Sequence, residues 1–259
     1  MLPVYILIRT SNRPKFFGRM METIKNQTYD NIVTIVHSDD PRDKYVTGDI
    51  IINGHGYNAS YGNATYNLYN NRLLAKVPKV DGWIHFMDDD DEYSSDDVIE
   101  KLVNNSLKDH FNVARVERWD GIIFPQHWKT QKSFQTECFF LHTNYKSKAK
   151  WWGNKGGDHF YSRQLTKFLP INWIEDLKIC TAQEGKGHGR KFDKNKFLVD
   201  KSKSFKPDEM VICLGMQPVR GRKKNECIRQ DEFKRLKYSV AYELEQQGKV
   251  KITNKEVVI

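Results

Sequence analysis

The sequence predicts an α/β fold in which a mostly parallel central sheet is flanked by helices. Residues 4–8 form a continuous apolar, β-rich run, which is typical of a strand buried on both faces. This run is followed by a helix-start sequence, a helical repeat of apolar residues and a second strand at 31–36. That is the order of a parallel strand–helix–strand unit. A third apolar run, 83–87, ends abruptly in four aspartates, as expected for a strand that ends at a ligand-binding edge.

The first unit contains a polar loop and a helix between its two strands. Ser11 or Asn12 is a candidate helix cap, and Pro14 suits a first helical turn. Apolar residues at helical spacing then predict core packing at Phe16, Phe17, Met20, Met21 and Ile24. Because no GxGxxG sequence follows the first strand, a dinucleotide-binding domain is disfavoured.

The next elements predicted are a short strand at 49–52 and helices at 60–77 and 95–107, the second capped by Ser94 or Ser95. The helix at 60–77 carries several asparagines, which are poor helix formers. A polar face turned towards a ligand and a solvated face explain them equally well.

The four aspartates Asp88–Asp91 are the feature around which the chain is organised. Unpaired ionised carboxylates cost several kcal/mol each in a core, so we expect them to point into solvent or at a cation. Oxygen ligands suit hard ions such as Mg²⁺ or Mn²⁺, which also bind phosphate oxygens. The alternative is a solvated acidic turn before a helix.

The remaining sequence predicts strands at 113–116, 121–124, 138–141 and 169–179 and a helix at 158–168. Trp151 and Trp152 precede that helix beside glycines, and they suit either a sugar- or base-stacking site or a core corner. The Gly-rich, basic stretch 185–191 suits a phosphate-binding loop or a linker. We therefore divide the chain into a main domain, 1–192, and a basic α+β extension, 193–259. The extension carries predicted strands at 210–214 and 250–259, a basic loop at 220–224 and a helix at about 231–246.

Composition favours a globular protein with acidic partners. The chain has 259 residues, 39% of them hydrophobic, and a formal charge of +9. The cysteines (Cys138, Cys180, Cys213 and Cys227) form no CxxC pair and are interpreted as reduced thiols. The apolar run 4–8 is too short for a signal peptide, and no segment is apolar over ~20 residues, so we expect a cytoplasmic location.

Together these motifs resemble family 2-type glycosyltransferases of the GT-A fold, over roughly residues 2–190. The segments that carry the resemblance are Ile6-Leu7-Ile8-Arg9-Thr10-Ser11-Asn12-Arg13-Pro14, Gln27-Thr28-Tyr29, Ser38-Asp39-Asp40, the helix near Asn63 and Asn67, Met87-Asp88-Asp89-Asp90-Asp91-Glu92-Tyr93, and Gly157-Asp158 with Arg163. The resemblance implies a Rossmann-like sheet and transfer of a sugar from a nucleotide-sugar to an acceptor hydroxyl.

The resemblance also implies roles for particular residues. Asp88 and Asp90 match the family's DxD motif, so Asp88 is expected near the ribose and metal and Asp90 on Mn²⁺ or Mg²⁺ at the diphosphate. His188 stands where such enzymes often supply a histidine ligand to that metal. Other residues are expected to bind the nucleotide-sugar: Thr10, Asn12, Arg13, Asp39, Asp40, Asn67 and Asp89.

Asp158 matches the catalytic base of inverting members of the family. A single carboxylate that takes the proton of the attacking hydroxyl fits inversion. The usual Glu-Asp pair is Gly157-Asp158 here, and Glu175-Asp176 is a true Glu-Asp pair, so Asp176 is the competing candidate for the base.

Partners follow from the same resemblance. The donor is expected to be UDP-, GDP- or TDP-linked, and the acceptor a glycan, a lipid-linked group or a protein. The basic extension suits peripheral attachment to an anionic membrane, and no nucleic acid is expected. The competing hypotheses are a nucleotidyltransferase, which lacks its phosphate loop here, a haloacid-dehalogenase-type phosphatase, and a nucleic-acid-binding protein that uses Lys201–Lys206 and Arg220–Lys224.

Overall fold

The computed structural model describes residues 1–54, 64–125 and 134–182, and three further strands at 209–213, 227–228 and 250–254. The chain divides into two compact units, Met1–Lys191 and Phe192–Ile259. The predicted boundary at 192/193 lies among residues 183–200, outside the described ranges, and stays a prediction.

The first unit combines one sheet with four α-helices in its described part. The strands are β1 Val4–Thr10, β2 Ile32–Ser38, β3 Ile50–Asn53, β4 Trp83–Asp88, β5 Asp91–Tyr93, β6 Phe111–Arg118, β7 Ile123–Phe124, β8 Phe139–His142 and β9 Ile171–Ala182. The helices are α1 Pro14–Lys25, α2 Tyr69–Lys76, α3 Val98–Asn105 and α4 Gly157–Leu165.

The sheet has the strand order β3-β2-β1-β4-β8-β6-β9-β5, and β7 pairs with β6. β1 is parallel to β2 and β4, and β2 is parallel to β3. β8 runs antiparallel to its neighbours β4 and β6, whereas β6 and β9 are parallel. The predicted α/β fold with a mostly parallel sheet is therefore confirmed. Three strands run antiparallel to their neighbours: β8 within the sheet, β5 beside β9 and β7 beside β6.

The core forms where the apolar runs of the sequence meet the helices. The strand run 4–8 is buried, as are Trp83 and Phe86 of β4. On α1, Phe17, Met20 and Ile24 are buried, while Phe16 and Met21, predicted in the core, are only half-buried. Trp151 packs in the core, stacked on Tyr161 with ring centroids 4.4 Å apart.

The predicted side-chain caps of α1 and α3 are wrong. Arg13 precedes α1 without a side-chain cap, although Pro14 does begin the helix as predicted. Ser94 donates to the Lys178 carbonyl and Ser95 to Asp97, so neither caps α3, which begins at Val98.

The helix predicted at 60–77 is shorter and irregular. A 3₁₀ turn, Thr65–Leu68, precedes α2. Asn67 in this turn bonds to Arg9 and to the Asn154 carbonyl, contacts that tie it to distant parts of the chain. Residues 60–63 lie outside the described residues.

The second unit has a described antiparallel sheet of three strands in the order β11-β10-β12. They are β10 Glu209–Cys213, β11 Cys227–Ile228 and β12 Val250–Asn254. The predicted strands at 210–214 and 250–259 overlap β10 and β12. The basic loop 220–224 and the helix 231–246 lie outside the described residues. Among the residues that the structure describes, no helix has the length and apolar character needed to span a bilayer.

Candidate active site

The candidate site lies at the edge of the sheet where β1, β2 and β4 end. The register pairs Arg9 of β1 with Asp88 of β4, and Thr10 with Ser38 of β2. The polar loops that follow these strands therefore meet at one place, as expected for the ligand crevice of an open parallel sheet.

Arg9 clamps Asp88 at the centre of this edge. Its guanidinium donates to both carboxylate oxygens, with Nη2 2.7 Å from Oδ2, and Nη1 donates to Asn67 Oδ1 at 2.8 Å. A bidentate pair of this kind fixes orientation as well as charge. Asp88 is thus held in one geometry at the mouth of the crevice.

The four aspartates point in different directions, which corrects the prediction that all of them face solvent or a cation. Asp89 is fully buried, accepts from Thr10 Oγ1 at 2.6 Å and pairs with Arg13. Asp91 is also buried and accepts from the backbone N–H of Asp88 at 3.0 Å. Asp90 accepts from Arg13 Nη1 at 2.8 Å.

Burial changes the acidity of these carboxyl groups. It raises the pKa of Asp89 to about 7, although Arg13 and Thr10 act in the opposite direction. The pKa of Asp91 is raised well above its usual value by burial, with Glu137 and Asp88 adding to the effect. Burial favours the neutral form of a carboxyl group, and the backbone N–H of Asp88 gives the buried Asp91 a hydrogen-bond partner.

Asp88 and Asp90 line an open cavity of about 290 Å³. The residues around it come from the ends of the strands, the 3₁₀ turn and the start of α4: Arg9, Tyr66, Asn67, Asp88, Asp90, Asp91, Arg118, Trp119, Gln135, Thr136, Glu137, Gly156, Gly157 and Asp158. Tyr66 lies against the Arg9 guanidinium, with 4.9 Å from Cζ to the ring centroid. The cavity thus joins predicted residues that are far apart in sequence.

Asp158 reaches this cavity from the first turn of α4. Its Oδ1 accepts from the backbone N–H of His159 at 2.8 Å, and burial raises its pKa. Asp176, the competing candidate, is exposed on β9 and is not among the lining residues. The position of the two carboxylates therefore favours Asp158 for chemistry in the cavity.

The other predicted nucleotide-binding residues lie on the loops beside the cavity. Asp39 and Asp40 are buried at the end of β2, and the Asp40 carboxylate accepts from the side chain of Arg42. Thr10 bonds to Tyr45 Oη at 2.8 Å as well as to Asp89. Asn12 is exposed, with a positive φ of 53°. His188 lies outside the described residues.

Glu137 is a functional candidate that the sequence did not indicate. It is buried just before β8 and lines the cavity, and its pKa is raised to about 8 by burial and then by Asp88. Its neighbours in the sequence, Thr136 and Cys138, give no motif, so only the pairing of β8 with β4 and β6 reveals its location. Trp119 and Arg118 reach the cavity at the β6–β7 turn, and strand pairing, not a sequence motif, likewise reveals their location.

Asp88 and Asp90 are the candidate ligands in this cavity for a divalent ion that would be shared with a substrate. Within 1–54, 64–125 and 134–182 no group of three metal-ligating side chains is assembled. Mg²⁺ in phosphate-binding sites commonly takes only one or two carboxylates and completes its shell with phosphate oxygens and water. Asp88 and Asp90 supply two, and burial together with the charge of Asp88 raises the pKa of Asp90, a repulsion that a cation would relieve.

Solved structures share this fold. The S. aureus TarS fragment 1–349 aligns with a TM-score of 0.53 and 14% identity, over 70% of this chain and 60% of that fragment. The chain has the GT-A fold. The fragment in complex with UDP-GlcNAc aligns with a TM-score of 0.52 and 12% identity, over 80% of this chain and 63% of that one. A further complex contains UDP.

The alignment spans 37% of the longer TarS chain, so the match is to part of that protein. No family model matches the sequence, and no curated protein matches it. Strand order and spatial arrangement therefore carry the likeness, and sequence identity contributes little. The GT-A resemblance predicted from the motifs is confirmed at the level of the fold.

Proposed function

We propose that the chain is a glycosyltransferase that moves a sugar from a nucleotide-sugar donor to an acceptor hydroxyl. One observation carries this proposal. In a GT-A fold, a single cavity at the strand ends contains the two carboxylates Asp88 and Asp90, the cation Arg9 and the candidate base Asp158. Charge stabilisation and proton removal are the two tasks that glycosyl transfer requires.

The proposed donor site uses the strand-end residues. When bound, Mn²⁺ or Mg²⁺ would stabilise the charge that develops on the diphosphate leaving group, and Asp88 and Asp90 would hold it. Arg9 and Arg13 bring positive charge to the same edge and keep the two carboxylates in place. His188 remains a proposed third ligand.

The nucleotide is proposed to lie against the loops after β1 and β2. The proposed contacts are Asn12, Arg13, Asp39, Asp40 and Asn67. The buried Asp89 accepts a hydrogen bond from Thr10 and pairs with Arg13, which holds both side chains in position. Because the TarS structures include complexes with UDP and UDP-GlcNAc, a UDP-linked donor is favoured over a GDP- or TDP-linked one.

Asp158 is the proposed general base, and a single base implies inversion at the sugar carbon. Its carboxylate would take the proton of the acceptor hydroxyl as that oxygen attacks. The proposed acceptor is a glycan, a lipid-linked group or a protein. Residues 193–259 are proposed to hold the enzyme at a membrane in the cytoplasm.

A thermal-shift screen of UDP-, GDP- and TDP-sugars, with and without Mn²⁺, tests the donor site. A ligand at 100 times its Kd stabilises a protein by about 2.7 kcal/mol, which such a screen resolves. We expect a UDP-sugar to raise Tm only when Mn²⁺ is present, and Asp90→Ala to remove most of this shift.

The matched control is Asp81→Ala, because Asp81 is an exposed aspartate in a surface pair with Lys108. This variant should keep the full ligand-dependent shift. The proposal fails if no nucleotide-sugar changes Tm under any metal condition, or if the Asp90 and Asp81 variants respond alike.

A further inference from the structure

We propose that Trp119 is the stacking platform of an acceptor subsite, and that the acceptor is a carbohydrate. The inference rests on the proposed function, since it assigns the acceptor side of the same cavity. It concerns a residue that no motif in the sequence singled out.

Hydrogen bonds and an ion pair fix the conformation of the turn that carries Trp119. The backbone N–H of Arg118 donates to the Ile122 carbonyl at 2.8 Å, and the Asp120 side chain pairs with Arg118 and accepts from the N–H of Ile122. Gly121 adopts the left-handed conformation, with φ +80°, that the turn requires. Trp119 is therefore presented by a fixed hairpin tip between β6 and β7.

The indole of Trp119 lines the cavity yet remains 55% exposed. In the described part of the chain, no ring or cation stacks on it, in contrast to Trp152, which is also exposed but stacks on Phe160 with centroids 5.2 Å apart. A large aromatic surface left open at a cavity rim is a common feature of a ligand contact.

The chemistry of the cavity selects a sugar as that ligand. Among its described lining residues there is no aliphatic side chain, and the aromatic ones are Trp119 and Tyr66. Gln135, Thr136 and Glu137 provide amide, hydroxyl and carboxyl groups. A pyranose offers a C–H face that packs on an indole and hydroxyls that need such polar partners. A lipid chain or an apolar peptide would leave these polar groups unsatisfied.

The sheet order places Trp119 on the acceptor side. The proposed nucleotide contacts follow β1 and β2, and Asp88 ends β4, whereas Trp119 follows β6, which is separated from β4 by β8. Tyr66, which lies over Arg9, is the aromatic residue of the donor side. The subsite is therefore assigned to the part of the cavity that also contains Gln135 and Thr136.

Saturation-transfer NMR with a panel of methyl glycosides tests the inference. The panel contains methyl glucoside, galactoside, mannoside and N-acetylglucosaminide, each with the full chain, UDP and Mn²⁺. We expect signal transfer to the ring C–H protons of at least one glycoside. Trp119→Ala should weaken that binding about tenfold or more, and Trp119→Phe should restore part of it.

Two controls separate this result from damage to the fold. Ile122→Ala removes an exposed apolar side chain from the same turn, and Trp152→Ala removes an exposed tryptophan that does not line the cavity. Both should bind the glycoside as the wild type does, and all variants should keep the UDP-dependent thermal shift.

The inference is overturned if no glycoside receives saturation in the wild type, or if Trp119→Ala binds as tightly as the wild type. Equal loss in the Ile122 or Trp152 variants also contradicts it. If the proposed donor site itself fails, the wild type will show no UDP-dependent thermal shift. If only the acceptor subsite fails, that thermal shift will remain.

Discussion

Arg9 and Arg13 pair with three of the four consecutive aspartates at the end of a buried strand. Arg9 pairs with Asp88, and Arg13 contacts both Asp89 and Asp90. Asp91 accepts a hydrogen bond from the backbone N–H of Asp88 instead. The acidic motif and the basic loop after β1 are thus one electrostatic unit, which links the loop geometry to the proposed metal-binding carboxylates.

The proposed base is tested by Asp158→Asn, with Asp176→Asn as the matched control. The amide keeps the shape of the carboxyl group but cannot accept the proton, so kcat should fall by roughly 10²–10⁴-fold while the UDP-dependent thermal shift is retained. Asp176 is exposed outside the cavity, and its variant should keep wild-type kcat.

The pH profile provides a second measurement on the same residue. Because burial raises the pKa of Asp158, kcat/KM of the wild type should fall, as pH is lowered, at a higher pH than that of an ordinary aspartate. A loss of kcat in Asp176→Asn that equals or exceeds the loss in Asp158→Asn would reverse the assignment of the base.

Local sequence was sufficient to find the residues that end strands or begin helices. The aspartates after β4 stand out because an apolar run ends where they begin, whereas Asp158 was indicated by the family resemblance. Glu137, Trp119 and Tyr66 do not stand out, because their importance depends on which strands and turns become neighbours. Their contribution to the cavity is a consequence of long-range packing, which single-sequence patterns do not contain.

At the scale of elements, hydrogen bonds join the 3₁₀ turn to the segment just before α4 and so connect two sides of the cavity. Asn67 bonds to Arg9 through its oxygen and to the Asn154 carbonyl through its nitrogen. The backbone N–H of Ala64 donates to the Gly153 carbonyl at 2.8 Å. This contact connects the donor-side clamp to the helix that presents Asp158.

Gly157 is required for this close approach. A Cβ added at Gly157 would lie 2.5 Å from Asn67 Nδ2, well inside contact distance. A larger side chain here, such as the glutamate of the family pattern, would have to displace Asn67.

Gly157→Ala should consequently displace Asn67 and loosen the Arg9 clamp. We expect a stability loss of about 1–3 kcal/mol in chemical denaturation, together with a weaker UDP-dependent thermal shift. Gly18→Ala is the control, because nothing lies within 4 Å of a Cβ at that position of α1. It should leave the thermal shift unchanged, and an unperturbed shift in Gly157→Ala would show that the contact is not needed for binding.

At the scale of the whole molecule, the α/β class and the parallel half of the sheet were predictable from the sequence. Buried apolar runs alternating with an amphipathic helix define β1, α1 and β2 without reference to the rest of the chain. The antiparallel insertion of β8 and the short strand β5 were not predictable. β5 consists of Asp91-Glu92-Tyr93, and it forms because β9 supplies a pairing partner from 87 or more residues later.

The central claim is that a nucleoside diphosphate and a divalent ion bind in the cavity at the ends of β1 and β4. The most direct test is a crystal structure of the full chain with UDP and Mn²⁺, with anomalous diffraction used to locate manganese. We predict an anomalous peak coordinated by Asp90 or Asp88 and by diphosphate oxygens, with the uracil against the loops after β1 and β2. UDP bound elsewhere, or bound in the cavity with no manganese at these carboxylates, would contradict the account.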